Sequence, residues 1–187
     1  MAIFVVAVHH RERSQPGAVL GFVRYARCAP EALDPGHYNR AAGQPRDENE
    51  LKISRHHVRV HWGDTDPAAI VYYPNYFKWF DQGTTALFES AGLDWDTLKK
   101  KFGVIGVPVV EAKSRFIAPC RFRDSIIVES CISKWSSKAF QISHTILNAS
   151  AAAVQGYEMR VLAKPHPEDP ARIKACSIPA EFRQALE

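Results

Sequence analysis

The chain has 187 residues, of which 46% are hydrophobic and 24% charged, with a formal net charge of +4. That length fits one domain plus an extension, or two very small domains, and the composition is ordinary for a globular protein. The charge is too small and too scattered for the clustered basic face of a nucleic-acid binder, so no nucleic-acid partner is expected.

In chain order, the apolar run "AIFVVAV" comes first. It is far shorter than the ~18 residues that cross a membrane. Its charges, Arg11 and Arg13, follow the run, whereas a secretory signal carries them before it. No membrane span and a cytoplasmic location are therefore expected. Residues 9–50 hold Pro16, Gly17, Gly21, Pro30, Pro35, Gly36, Gly43 and Pro45. No helical or strand period survives so many breakers, and residues 1–50 read as a mostly disordered N-terminal extension in which Ala2–Val8 adds at most one strand. The first 50 residues carry six Arg and six Asp/Glu, so the whole charge excess falls on residues 51–187. A surplus of that size suits a phosphorylated small molecule.

The functional domain is expected over residues 51–187. "HHVRVHW" alternates, with Val58, Val60 and Trp62 on one face and His57, Arg59 and His61 on the other, as a half-buried strand does. A Gly-Asp-Thr-Asp-Pro turn follows. Residues 75–91 then place Tyr76, Phe77, Phe80, Thr84, Leu87, Phe88 and Ala91 at helical spacing, with Pro74 suited to the first turn and Gly92 to the stop. So aromatic a helix must be largely buried. Asp94 caps a short second helix, "WDTLKKKF", that ends at Gly103. Four strand-like runs follow at 107–118, 125–135, 139–149 and 153–163, rich in β-branched residues and sequentially adjacent, hence antiparallel neighbours. "KPHPEDPAR" reads as a loop and "IPAEFRQALE" as a terminal helix. The fold class is α+β, one antiparallel sheet wrapped around one long hydrophobic helix.

Most familiar chemistries are missing. His56, His57 and His61 lie close together, but no Cys or carboxylate at suitable spacing completes a metal site, and they read as strand histidines facing solvent. Cys28, Cys120, Cys131 and Cys176 show no ligand spacing and read as buried or inert thiols. There is no nucleophile elbow, dinucleotide-binding glycine motif or phosphate loop, so no metal and no cofactor is expected.

The candidate chemistry lies in "WGDTDPAAIVYYPNY". Asp66 precedes Pro67, which pushes its backbone toward an extended conformation and restricts its side chain. The aromatic helix starts a few residues later, near Tyr73 and Pro74, and a helix start offers unpaired N–H groups and partial positive charge to a carbonyl oxygen. A carboxylate beside a carbonyl-polarising helix end is what attack on an activated acyl group requires. Asp64 reads as a turn or capping residue. Asp81, four residues after Phe77, is either a solvated helix residue or an acceptor for a polar group on a ligand, and the residues alone do not choose.

"GDTDPAAIVYYPNYFKWFD" resembles the active-site motif of the hotdog-fold acyl-CoA thioesterases, in the branch that acts on hydroxybenzoyl-type thioesters. The similarity continues through "GVIGVPVV", "CISKWSSKAF" and "YEMRVLA" to "IPAEF". The resemblance implies a hotdog fold and hydrolysis of an acyl-CoA thioester to the acid and free coenzyme A. It makes Asp66 the catalytic carboxylate, as nucleophile or as general base, and gives the Tyr73 backbone N–H the thioester carbonyl. It puts Asp81 against a ring hydroxyl, with Trp79 and Val107 at the acyl pocket. Lys138 and Lys174 match positions that meet coenzyme A phosphates, and Arg172 lies beside one. Ser136 and Ser137 stand where the family branch has two arginines, and Val107 where it has a polar residue. Homodimers, commonly doubled to homotetramers, are implied as well. Two other functions fit the same motif less fully: a short-chain or branched aliphatic acyl-CoA thioesterase, and a non-catalytic acyl-CoA-binding hotdog protein.

Overall fold

The structure, a computed structural model, describes residues 52–169 and 171–187. The expectations for residues 1–50, and for Leu51, lie outside the described residues. Strand β1 (Ser54–Arg59) is shorter than its alternation suggests, because the chain leaves the sheet at Val60 and turns through a single 3₁₀ turn at Trp62–Asp64. Trp62 therefore does not share the core face of Val60; it is 75% exposed.

Helix α1 (Pro74–Ser90) starts on a proline whose missing N–H would be unpaired in the first turn anyway. Its buried residues, Tyr76, Trp79, Phe80, Gly83, Thr84, Leu87 and Phe88, form one stripe at three- and four-residue spacing. Helix α2 (Trp95–Phe102) has the expected ends: the Asp94 side chain accepts the Thr97 N–H at 2.7 Å, and Gly103 closes it at φ 64°.

The remaining strands are β2 (Val109–Phe116), β3 (Ser125–Trp135), β4 (Ala139–Asn148) and β5 (Ala151–Val161). The sheet runs β1-β3-β4-β5-β2 and is antiparallel throughout. Sequential pairing holds for β3, β4 and β5. It fails for β2, which crosses to β5 with Ala112 opposite Glu158, because β1 already occupies the outer edge of β3 with His57 opposite Ile127. The stretch read as a loop after residue 163 is partly a ribbon: β6 (Ala163–Pro165) pairs with β7 (Ile173–Ala175). A terminal helix, α3 (Ala180–Leu186), buries Phe182 and Leu186.

One face of the sheet covers α1, and the core between them has two apolar halves. Around the start of α1, Tyr76, Trp79 and Phe80 pack with Val60, Val71, Ile126, Val128, Ile146 and Val154. Around its end, Leu87 and Phe88 pack with Leu98, Phe102, Phe140, Ile142, Leu162 and Phe182. Each fully buried side chain of this size contributes roughly 1.5–3 kcal/mol by leaving water. Between the halves, at Gly83 and Thr84, lies a layer of buried polar groups from β3, β4 and β5: Ser130, His144, Glu158 and Arg160.

Candidate active site

The segment from His61 to Tyr73 is a loop fixed by its own polar groups. Asp64 caps it: its Oδ2 accepts the His61 N–H at 2.8 Å, and its carbonyl accepts the Tyr72 N–H at 2.8 Å and Asn75 Nδ2 at 2.9 Å. That is the turn role expected of Asp64. Thr65 bridges Val71, and inside this pair Asp66 N–H donates to the Ile70 carbonyl at 2.9 Å. The Asp66 side chain closes a second small turn, its Oδ1 accepting the Ala68 N–H at 2.8 Å. Its Oδ2 has no partner among the described residues. The loop is tied to the sheet by Val71 N–H on the Cys120 carbonyl and by Arg121 Nη1 on the Ala69 carbonyl. Ala69 sits at φ 60°, a left-handed conformation that an alanine rarely takes and that the surrounding bonds enforce.

The loop delivers the chain into α1 at Tyr73, which is its N-cap. Two of the first donors are already used, Asn75 N–H on the Tyr72 carbonyl and Tyr76 N–H on the Tyr73 carbonyl, and Pro74 has none. The Tyr73 N–H is thus the unpaired donor of this helix start among the described residues. The Asp66 turn and the Tyr73 helix start form the two arms of one loop, a carboxylate oxygen and an N–H both available to a ligand.

A separate recess opens beside the middle of α1, lined by Asp81, Thr84, Thr85, Phe88, Val107 and Arg160 among others. Asp81 leaves the helix toward solvent, with its side chain 64% exposed, and pairs with the buried Arg160 through Oδ1 and Nη2 at 2.6 Å. Its environment is therefore an ion pair at the rim of the recess. Sequence reasoning missed Arg160 and the groups behind it. Arg160 Nε and Nη2 donate to Glu158 Oε2 at 3.0 and 2.8 Å, and Nη1 donates to the Val107 carbonyl at 3.1 Å. Thr84 Oγ1 donates to the same Glu158 oxygen at 3.1 Å. Behind Glu158, His144 Nε2 lies 3.4 Å away without hydrogen-bonding alignment, and His144 Nδ1 is 2.9 Å from Ser130 Oγ.

These burials shift two titrations. Complete burial, stacked on Phe80, pushes His144 below its ordinary value of 6.5, and the nearby Glu158 only partly opposes this, so His144 is neutral at neutral pH. Burial pushes Glu158 up, but the His144 ring and the Arg160 guanidinium more than offset it, and Glu158 stays ionised. Both folded-state values lie below the unfolded ones, so the unfolded chain binds the extra protons and stability falls as pH falls. We expect the thermal midpoint to be flat from pH 8 to 7. It should then drop as pH falls through the unfolded histidine value, as the unfolding free energy declines by up to ~1.4 kcal/mol per pH unit for one proton. Melting curves from pH 8 to 5 check this. A midpoint that does not move between pH 7 and 5 would count against a buried neutral His144.

The other residues singled out by sequence lie elsewhere. Trp79 is 2% exposed and packs edge-on against Tyr76 in the core, so the structure does not bring it to the recess. Val107 does line it. Lys138, Arg172 and Lys174 are exposed and outside the recess; Ser136 and Ser137 form the β3–β4 turn, where Ser137 accepts the Ile178 N–H. Among the described residues no cluster of His, Cys, Asp or Glu could hold a metal ion. Among them, too, Cys120 and Cys176 are free thiols, and burial pushes the Cys120 thiol up, which keeps it protonated and inert. No described helix is long and apolar enough to cross a membrane.

Comparison with known proteins bears on the family and the fold. The model of the thioesterase-like superfamily matches residues 60–186. A 4-hydroxybenzoyl-CoA thioesterase from Pseudomonas sp. (strain CBS-3) is 30% identical over 130 residues, covering 66% of this chain and 90% of that one. A solved structure of a mutant 4-hydroxybenzoyl-CoA thioesterase, complexed with 4-hydroxybenzoyl-CoA, superposes with a TM-score of 0.67 at 28% identity, over 72% of this chain and 99% of the other. A gentisyl-coenzyme A thioesterase structure gives 0.59 at 34% identity, over 71% and 98%. The chain belongs to the thioesterase-like superfamily with the hotdog fold, and it is an enzyme that hydrolyses acyl-CoA thioesters.

Proposed function

We propose that this enzyme hydrolyses an aromatic CoA thioester of the hydroxybenzoyl type, with Asp66 as its catalytic carboxylate. The observation that carries the reading is the loop itself: Asp66 Oδ1 is committed to the Ala68 N–H while Oδ2 is open, and the same loop ends on the unpaired Tyr73 N–H. The Tyr73 N–H polarises the thioester carbonyl and stabilises the oxyanion that forms there. As nucleophile, Asp66 forms an acyl anhydride as the C–S bond breaks and coenzyme A leaves as its thiolate; water then opens the anhydride. As base, it takes a proton from the attacking water, and the thiolate leaves in the same way. No cofactor is required beyond the coenzyme A carried by the substrate.

In this reading the acyl ring meets Asp81 through a ring hydroxyl, with Val107 on the recess wall. Lys138, Arg172 and Lys174 offer exposed positive charge for the coenzyme A phosphates, with Ser136 and Ser137 contributing hydroxyls in place of charge. A cytoplasmic location goes with such a substrate. The chain assembles as a homodimer or homotetramer in this reading. Support comes from β2, an edge strand that leaves Val110 and Phe116 half-exposed and its outer backbone unpaired in the sheet.

The test is a comparison of two substrates. Hydroxybenzoyl-CoA should be hydrolysed with higher kcat/KM than benzoyl-CoA, and Asp81→Ala should narrow the gap, because the carboxylate is then no longer there to be paired. A preference for short aliphatic acyl groups, or a ratio untouched by Asp81→Ala, would end the aromatic assignment.

A further inference from the structure

The buried polar layer between the two apolar halves of the core has a cost that packing alone does not recover. Glu158 and Arg160 are 3% and 4% exposed, and an ion pair at such depth is commonly no better for stability than two apolar residues. Its outer end reaches the rim of the recess, where Arg160 pairs with Asp81.

We propose that Glu158 and Arg160 are positioning residues for specificity: they hold Asp81 with one carboxylate oxygen committed and the other open, so that the recess accepts a neutral hydrogen-bond-donating ring substituent and refuses an anionic one. The proposal rests on the reading of Asp81 as the partner of the ring substituent.

The geometry supports each part. An aspartate with an exposed side chain on a helix would otherwise sample several rotamers, and a mobile acceptor loses entropy on every binding event. Nη2 of Arg160 fixes Oδ1 at 2.6 Å, while no described group takes Oδ2. Arg160 cannot follow a ligand away from this position. Four of its five N–H groups are spent, two on Glu158, one on Asp81 and one on the Val107 carbonyl. Glu158 is fixed in turn by the Thr84 hydroxyl from α1, so the helix that carries Asp81 and the strand that carries Arg160 are locked in one register.

The sign of the local charge decides the selectivity. A solitary arginine in a pocket attracts carboxylates, often in a paired fork geometry. Here two carboxylates flank one guanidinium, His144 behind them is neutral, and Glu89 and Asp94 line the same recess, so the charge facing the ligand is net negative. A phenol donates to the open Asp81 oxygen. A ring carboxylate meets like charge with almost no free donor to offset it.

The experiment compares hydroxybenzoyl-CoA, benzoyl-CoA and carboxybenzoyl-CoA on wild type, Asp81→Asn, Glu158→Gln and Thr84→Val, with circular dichroism to establish folding. Glu158→Gln keeps the side chain's shape, removes one negative charge and loosens Arg160. We expect its hydroxybenzoyl to benzoyl ratio of kcat/KM to fall about tenfold, mainly through KM, and its carboxybenzoyl to benzoyl ratio to rise by a similar factor. Thr84→Val, which removes one donor to Glu158 at nearly constant volume, should move both ratios in the same directions by a smaller factor, and it carries the test should Glu158→Gln not fold. Ratios unchanged from wild type in the folded variants, with activity on all three substrates reduced alike, would mean a purely structural layer and overturn the proposal. If wild type prefers hydroxybenzoyl-CoA and only Asp81→Asn abolishes that preference, the role of Asp81 stands and that of Glu158 and Arg160 falls. A wild type with no preference for the hydroxylated ring overturns the substrate reading first, and the proposal with it.

Discussion

Asp66→Asn is expected to lower kcat for hydroxybenzoyl-CoA by at least about a thousandfold, the usual consequence of deleting a nucleophile or base. The substitution is well suited to isolate chemistry from structure. Asparagine keeps a carbonyl oxygen where Oδ1 stands, so the Ala68 N–H retains its acceptor and the turn before Pro67 survives. The Asp66 N–H on Ile70 and the Thr65 bridge to Val71 do not involve the side chain at all. What disappears is the charge on the open oxygen. The thermal midpoint should therefore stay near that of wild type, and KM should change by no more than a few-fold, because the Tyr73 N–H and the Asp81 recess still hold the substrate. A steady-state assay of thiol release measures it. Activity within a few-fold of wild type would remove Asp66 from the mechanism and leave the loop as a decorated turn.

That loop was legible in the sequence because most of what shapes it is local, its ties to Cys120 and Arg121 excepted. Asp before Pro, proline at the first position of a helix and an aspartate able to cap a turn each act over two or three residues, and all three are in place. Helix α2 was legible for the same reason, down to Asp94 and Gly103. Strand order was not, since β2 chooses β5 over β3 only because β1 has taken the other edge, a fact of the whole sheet. Trp62 followed the alternation on paper and left it in space once the chain turned at His61. The buried layer is an intermediate case. In "VQGYEMRV" the period of two already puts Gly156, Glu158 and Arg160 on the face of Val154, two charges where a core is expected. What the sequence does not contain is their register against Thr84 and Asp81 on α1, and without it the charges have no meaning. Asp81 shows the same limit, because its pairing depends on a residue 79 positions away.

Gly156→Ala is expected to lower the thermal midpoint by about 10 °C. Gly156 lies in β5 between Ser114 on β2 and His144 on β4. A Cβ there would press on the Lys113 carbonyl and stand 2.7 and 2.9 Å from Cε2 and Cζ of Phe80. Neither neighbour yields cheaply. The carbonyl belongs to the backbone of the edge strand, and moving it breaks the β2–β5 ladder. The Phe80 ring is fully buried and stacks on His144 at 4.6 Å and 9°, so displacing it uncovers the buried His144. Alanine recovers roughly 0.5–1 kcal/mol of strand propensity and chain entropy, whereas overpacking a rigid core costs ~1–3 kcal/mol and here falls at or above the upper end. The control is Gly63→Ala in the exposed turn, where a Cβ meets nothing within 4 Å and the midpoint should stay put. Thermal melts of the two variants beside wild type decide the matter. A Gly156→Ala protein that melts with the Gly63→Ala control would mean that α1 does not press its Phe80 onto β5, and the seat of the whole polar layer would have to be redrawn.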